Sequence, residues 1–379
     1  MVSRFANWYM HSRLILLVPA VMILIAAVMA GIARLGIPVP LQASVLAGVH
    51  GPLMVCAFFG TVISLERAVA LGRLWVYLAP AVCAAGGVVL LAGFPTEWAA
   101  SLFVCGSAVL VAASIEVIRR QLAAHTVTLL LAAACWLAGN VAWAYGAGSA
   151  LPVAAWLGFL VITIAGERLE LTRLLPRKRA ALPMFVLAVS VVSAGCLMSF
   201  YVPDVGNRVF GLGLLFLALW LVQYDIARHN VRQSGLTRFI AVCLLSGYGW
   251  LALGGVLAAL GGLQAGVPWR DAALHAVGLG FVVAMVFGHA PIILPAVAGV
   301  RIAYHPAMYL PLALLHLSLA VRVASFPPAL NGLHAASGVA NAIALAVFGV
   351  VIGSRVSRGG ARPARSPDRR QGAAVSRSK

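Results

Sequence analysis

His50 and His275 are imidazoles set inside long apolar runs, GVHGPLMVCAFFGTVI and WRDAALHAVGLGFVVAMVFGHAPIILP. A metal-ligating or ionisable side chain is costly inside a bilayer, so its presence there marks a functional site by default. Neutral imidazoles from two facing helices hold a haem iron inside an apolar cavity, and imidazole also serves copper. His289 follows His275 on the same run, fourteen residues on. That is about 21 Å of helix, so these two cannot share a ligand. His50 and His275 fall about eight and six residues into their runs, which gives them matching depths on parallel helices. They are the expected iron-holding pair. His289, His316 and His334 complete the candidate metal set, His334 on the same side as the pair and His316 mid-membrane. His11, His125, His229 and His305 lie at helix ends beside basic residues and read as interfacial.

The elements that position these rings follow from composition. Of 379 residues, 63% are hydrophobic and 9% charged, with mean hydropathy +1.01. No water-soluble domain has that balance, and the chain reads as an all-α integral membrane protein. Spanning takes roughly 20 apolar residues. Twelve segments qualify, at about 14–33, 42–65, 74–94, 97–118, 125–146, 151–170, 181–202, 206–226, 237–262, 269–292, 305–325 and 330–354. The first has no convincing cleavage site and is taken as a helix rather than a removed signal. With both termini inside, all but four of the 27 Lys and Arg face the cytoplasm, including Arg177, Lys178 and Arg179. The exceptions are Arg34, Arg208, Arg270 and Arg322, and such a bias supports that orientation in a bacterial inner membrane. Residues 1–354 thus form a transmembrane domain, and 355–379 a basic, disordered cytoplasmic tail rich in Arg, Ser, Pro and Gly. The formal charge of +18 lies in loops and tail, so it implies lipid rather than nucleic acid as partner. The six cysteines are spread through apolar runs without a C-x-x-C pair and read as packing residues.

A weak internal repeat organises the spans. The second ends in Glu66-Arg67 and the sixth in Glu167-Arg168, and the tenth places His289 at the corresponding point. The expectation is three modules of four helices in a pseudo-threefold arrangement. The acids each have an arginine within about a turn and read as interfacial ion pairs. Arg270 and Arg322, kept outside against the positive-inside bias, are expected to meet the propionates of a haem.

The segment around His50-Gly51, Met54 and Phe58-Phe59 resembles the second helix of haem–copper oxidase catalytic subunits, whose H-G-x-(I/L)-M-x-x-F-F pattern carries a haem-ligating histidine. FGHAPIILP at 287–295 is similar to a segment of the sixth helix in that superfamily. Twelve spans with both termini inside and a fourfold-by-three plan agree with it. Departures are specific: the sixth and seventh spans here have no histidine, and Val277 stands two after His275. The resemblance therefore does not imply oxygen reduction, nor an enzyme. His50, His275, Gly288-His289 and Arg301 distantly resemble the NnrS-like branch, nitrogen-oxide-response proteins of the same superfamily, although Ala290-Pro291 replaces part of its longer motif. The resemblance implies a b-type haem, with copper as an option. It also implies a role in nitrogen-oxide or respiratory stress, with a small gaseous ligand and respiratory-chain proteins as partners. A small-solute transporter and an assembly factor for a respiratory complex are the rival readings.

Overall fold

The computed structural model describes residues 2–146, 148, 151–176 and 178–358. Arg177 of the basic triplet and residues 359–379 of the expected tail lie outside them.

Eleven helices among the described residues are long and apolar enough to cross a membrane, with lengths of 18 to 31 residues. In chain order the long helices are α1 (Val2–Arg34, apolar from Ile15), α2 (Leu41–Leu71), α3 (Leu74–Leu91), α4 (Thr96–Arg120), α5 (Ala124–Ala144), α6 (Val153–Leu171), α7 (Ala181–Met198), α8 (Pro203–Tyr224), α9 (Gly235–Gly262), α10 (Arg270–Ala298), α11 (Pro306–Ala324) and α12 (Pro328–Gly353). The helix outside the eleven is α6, whose 19 residues carry Glu167, Arg168 and Glu170 near one end. Each expected segment has become one helix, with ends within a few residues of expectation except at α1, which starts at Val2, and at α2 and α10, which each run six residues further.

Sequential neighbours pack against each other, α12 also meets α1, and α2, α6 and α10 touch across the middle of the bundle. Burial follows this plan. In α10, 67% of the apolar window is buried, against 22% in α1, so α10 is a central helix and α1 turns most of its surface to lipid. Apolar matching cannot drive helices together in lipid, so close backbone approach carries the packing. A Cβ on Gly211 of α8 would lie 2.2 Å from the Ala259 nitrogen of α9, a contact only glycine allows.

One departure concerns the tail. Gly299 ends α10 in the left-handed region (φ 66°), and the chain leaves as strand β1 (Val300–Ile302). This strand pairs antiparallel with β2 (Val356–Arg358), Val300 opposite Arg358 and Ile302 opposite Val356. The tail expected to be disordered from 355 is therefore pinned as far as Arg358, because its first residues find an unpaired edge beside the end of α10.

Candidate histidine and arginine cavity

His50 lies near the start of α2, just before Pro52. Proline lacks the backbone N–H of a regular ladder and crowds the preceding turn, and residues Leu53–Phe59 run as π-helix. On α10 a second π-helical stretch, Ala276–Val283, begins directly after His275. Such widened turns are uncommon and concentrate at functional sites. Both candidate ligands thus sit at the entrance to one.

The two rings meet. Their centroids are 6.5 Å apart and their planes differ by 21°, as matching depth on parallel helices predicts. Each is held by Nδ1. His50 Nδ1 is 2.7 Å from the Ala27 carbonyl of α1, and His275 Nδ1 is 2.9 Å from the Asp271 carbonyl one turn back. A carbonyl only accepts, so each Nδ1 carries the proton and Nε2 is left with a lone pair. Gly31 makes room for the first ring, since a Cβ there would lie 2.8 Å from His50 Cε1. Gly31→Val is therefore expected to displace the His50 ring and lower occupancy of any group it binds, with the helical fold retained by circular dichroism. Unchanged ligand occupancy in that variant would show that the ring position is not critical.

Asp271 was not a sequence candidate, and it organises the outer end of the site. Its Oδ2 accepts from Arg322 Nε at 2.7 Å and its Oδ1 from Arg322 Nη2 at 2.9 Å, a bidentate pair. Its Oδ1 is also 3.2 Å from His275 Nδ1, and its Oδ2 is 3.3 Å from His334 Nε2. One carboxylate on α10 thereby joins α11 and α12 to the His275 side of the pair. The available signal was spacing: Asp271 precedes His275 by four residues, one turn on the same face.

Arg322 is buried and committed to Asp271, which corrects its expected role as a propionate partner. Arg270 fits that role better. Its Nη1 is buried without a hydrogen-bond partner, and it lines the same cavity as Arg34, whose Nη1 donates to the Ala47 carbonyl at 3.2 Å. The cavity has a volume of about 620 Å³ between α1, α2, α6, α10, α11 and α12, with Arg322 of α11 also in its wall. Arg34, Arg270, Asp271 and His334 lie toward one end, and Phe59, Leu160 and Leu279 line it deeper along their helices.

The other expected ligands are elsewhere. His316 has both nitrogens engaged: Trp250 Nε1 donates to Nδ1 at 2.9 Å, and Nε2 is 2.9 Å from Ser246 Oγ. That removes it from the metal set, because no lone pair is left for an ion. His289 bonds through Nδ1 to the Met285 carbonyl at 2.7 Å and does not line the cavity. His305 caps the start of α11, accepting from the Ala307 amide at 3.1 Å. No group of three or more His, Cys, Asp or Glu among the described residues is placed to hold a metal ion. At the other end of the central helices, Arg67 of α2 pairs with Glu167 of α6 at 3.0 Å. The repeat positions therefore pair across helices rather than along each one.

The fold and cavity define an all-α, multi-pass helical membrane protein with a half-buried imidazole pair. The chain belongs to the family described as a domain of unknown function (DUF8744), whose model matches residues 13–356. That match takes in α1 from residue 13, all of α2 to α12, and the opening of β2. No curated protein matches the chain.

Proposed function

We propose that this protein is a haem-binding protein of a bacterial inner membrane, with twelve spanning helices, both termini cytoplasmic, and three four-helix modules meeting at α2, α6 and α10. It acts in the response to nitrogen oxides or respiratory stress, as a sensor, tolerance factor or electron carrier, and not as an oxygen reductase. The affiliation that goes with this reading is the NnrS-like branch of the haem–copper oxidase superfamily.

The single observation that carries it is the pair His50 and His275. A metal–imidazole bond is about 2 Å, which puts the centres of two rings facing each other across one ion about 6 Å apart. The observed 6.5 Å between near-parallel rings is of that order, and turning the two Nε2 atoms toward a shared ion would be a matter of ring rotation. The donor set also supports iron in haem: two imidazoles whose Nδ1 atoms are both engaged, beside apolar lining from Phe59, Leu160 and Leu279. A noncovalent, b-type haem is implied because the chain has no C-x-x-C-H attachment motif.

A haem held by His50 and His275 would supply a one-electron couple and a site for a small gas. The chain's own residues set the conditions. The Ala27 and Asp271 carbonyls fix both tautomers. The Asp271 carboxylate beside His275 Nδ1 helps to fix the orientation of that ring. Arg270 and Arg34 present positive charge to the carboxylates of the group, and Phe59, Leu160 and Leu279 keep water from its faces.

The test is a reduced-minus-oxidised absorption spectrum of the full chain purified from haem-replete cells. A Soret band with sharp α and β bands is the expected result. A colourless protein that stays colourless after haem addition would overturn the proposal. The charged Asp271–Arg322–His334 cluster at the cavity end favours one alternative, a small-solute transporter with its site between α1, α10 and α12. Solute uptake into vesicles by a chromophore-free protein would support that alternative.

A further inference from the structure

A second cavity, of about 860 Å³, lies where the ends of α5, α6, α7 and α8 converge. It is remote from the histidine pair: α6 lines the first cavity with Val153 to Leu160 and the second with Leu169 to Arg173. Its cations are Arg173, Lys178, Arg179, Arg228 and Arg232, and the carboxylate among its lining residues is Asp225. Asp225 is buried with Oδ1 accepting from the Ala227 amide at 2.6 Å. Burial pushes its carboxyl up from the ordinary range, opposed by Arg168 and by hydrogen bonds from Ala227 and Tyr248.

The cations are not neutralised in place. Arg173 is a loose 4.0 Å from Glu170, Arg228 Nη1 donates to the Gln223 carbonyl at 2.8 Å, and Lys178 rests 5.6 Å over the Tyr224 ring. Arg179 and Arg232 have no carboxylate within ion-pair distance among the described residues. Positive charge at this end is expected from orientation alone, but orientation needs only lysines and arginines spread over loops. Here five of them border one concavity whose walls include Leu169, Leu175 and Leu182.

From this geometry we infer that the cavity is a binding site for a phosphate-bearing anion. Guanidinium groups match phosphate oxygens in pairs, and basic pockets between helix ends take phospholipid headgroups. The same chemistry would take a free polyphosphate, and the two sources are separable. Arg179 and Arg232 supply the contacts, and the leucine wall accepts acyl chain where the phosphate belongs to a lipid.

The delipidated full chain in neutral detergent is titrated with short-chain phosphatidylglycerol, or with inorganic pyrophosphate, while its melting temperature is followed. Stabilisation by phosphatidylglycerol but not pyrophosphate assigns a lipid headgroup, and stabilisation by pyrophosphate assigns a soluble phosphate. In either case R179Q/R232Q is expected to raise the half-saturating concentration at least about tenfold, since charged hydrogen bonds are lost. R179K/R232K, which keeps the charge, should fall between wild type and the glutamine variant and controls for folding. No stabilisation by either compound, or an equal response in wild type and R179Q/R232Q, overturns the inference. The Soret band plays no part in this test, so its outcome is independent of the haem proposal.

Discussion

Alanine at His50 or His275 is expected to remove most of the Soret absorbance per mole of protein. In the haem reading each ring would supply one bond to the iron, and loss even of a residue that merely orients a metal ligand costs 10- to 100-fold in affinity. Loss of the ligand itself should reach or exceed that range. The two variants need not be identical. His275 is tied to Asp271 through both a backbone carbonyl at 2.9 Å and a carboxylate oxygen at 3.2 Å, whereas His50 rests on the Ala27 carbonyl alone. Removing His50 leaves in place the ring that Asp271 anchors twice, so residual haem should be more abundant in H50A than in H275A. His316→Ala is the control: it breaks the bonds to Trp250 and Ser246 at about 1 kcal/mol each and should leave the spectrum unchanged. A full band in the double variant H50A/H275A would remove the pair from the site.

The helices were legible because a bilayer enforces length. An apolar run of some 20 residues flanked by polar turns has one structural solution, and the expected segments became α1 to α12. Depth was legible for the same reason. Counting from the start of two helices that run the same way is counting along parallel rods, and it brought His50 and His275 together. What one dimension does not encode is the choice of partner across helices. Arg67 could pair with the adjacent Glu66 and instead reaches Glu167 on α6. Arg322 was expected at a cofactor and instead closes on Asp271. His316 looked like a ligand candidate until Ser246 and Trp250 of α9 proved to flank it. These are outcomes of packing, set by which faces meet once α10 is enclosed.

The strand pair failed to register for a related reason. Val356–Arg358 belongs to a stretch whose composition reads as unstructured, and its partner lies more than fifty residues earlier. Only the closure of α12 against the end of α10 makes that pairing local in space. Asp271 is the most instructive omission. Beside Arg270, at the mouth of a span, an acid reads as an interfacial ion pair, yet Arg270 is not its partner. The carboxylate points one turn along the helix to His275 and across to α11 and α12.

Removing that carboxylate is expected to have the largest effect on stability. Arg322 is 6% exposed and receives its counter-charge from Asp271 through two hydrogen bonds. Nor can it withdraw easily, since its Nη1 lies under α12, 3.0 Å from where a Cβ on Gly338 would stand. Breaking a buried pair by deleting one partner costs about 3–5 kcal/mol. The Asp271 side chain is about one-third exposed, so D271A should fall at the low end of that range. The same variant frees His334, whose contact to Asp271 is 3.3 Å, and loosens α12 from α10. Asp271→Asn keeps size and one acceptor, and should recover part of the loss. Asp271→Leu with Arg322→Met removes both charges together and should cost less than D271A alone, because no unpaired guanidinium is left behind. Denaturant or thermal unfolding in detergent measures all three against wild type. The coupling between positions 271 and 322 is the decisive quantity: a double-mutant cycle showing less than about 0.5 kcal/mol would mean that the pair is incidental. A large coupling accompanied by a shifted haem midpoint potential in D271N would place Asp271 in control of both the outer helices and His275.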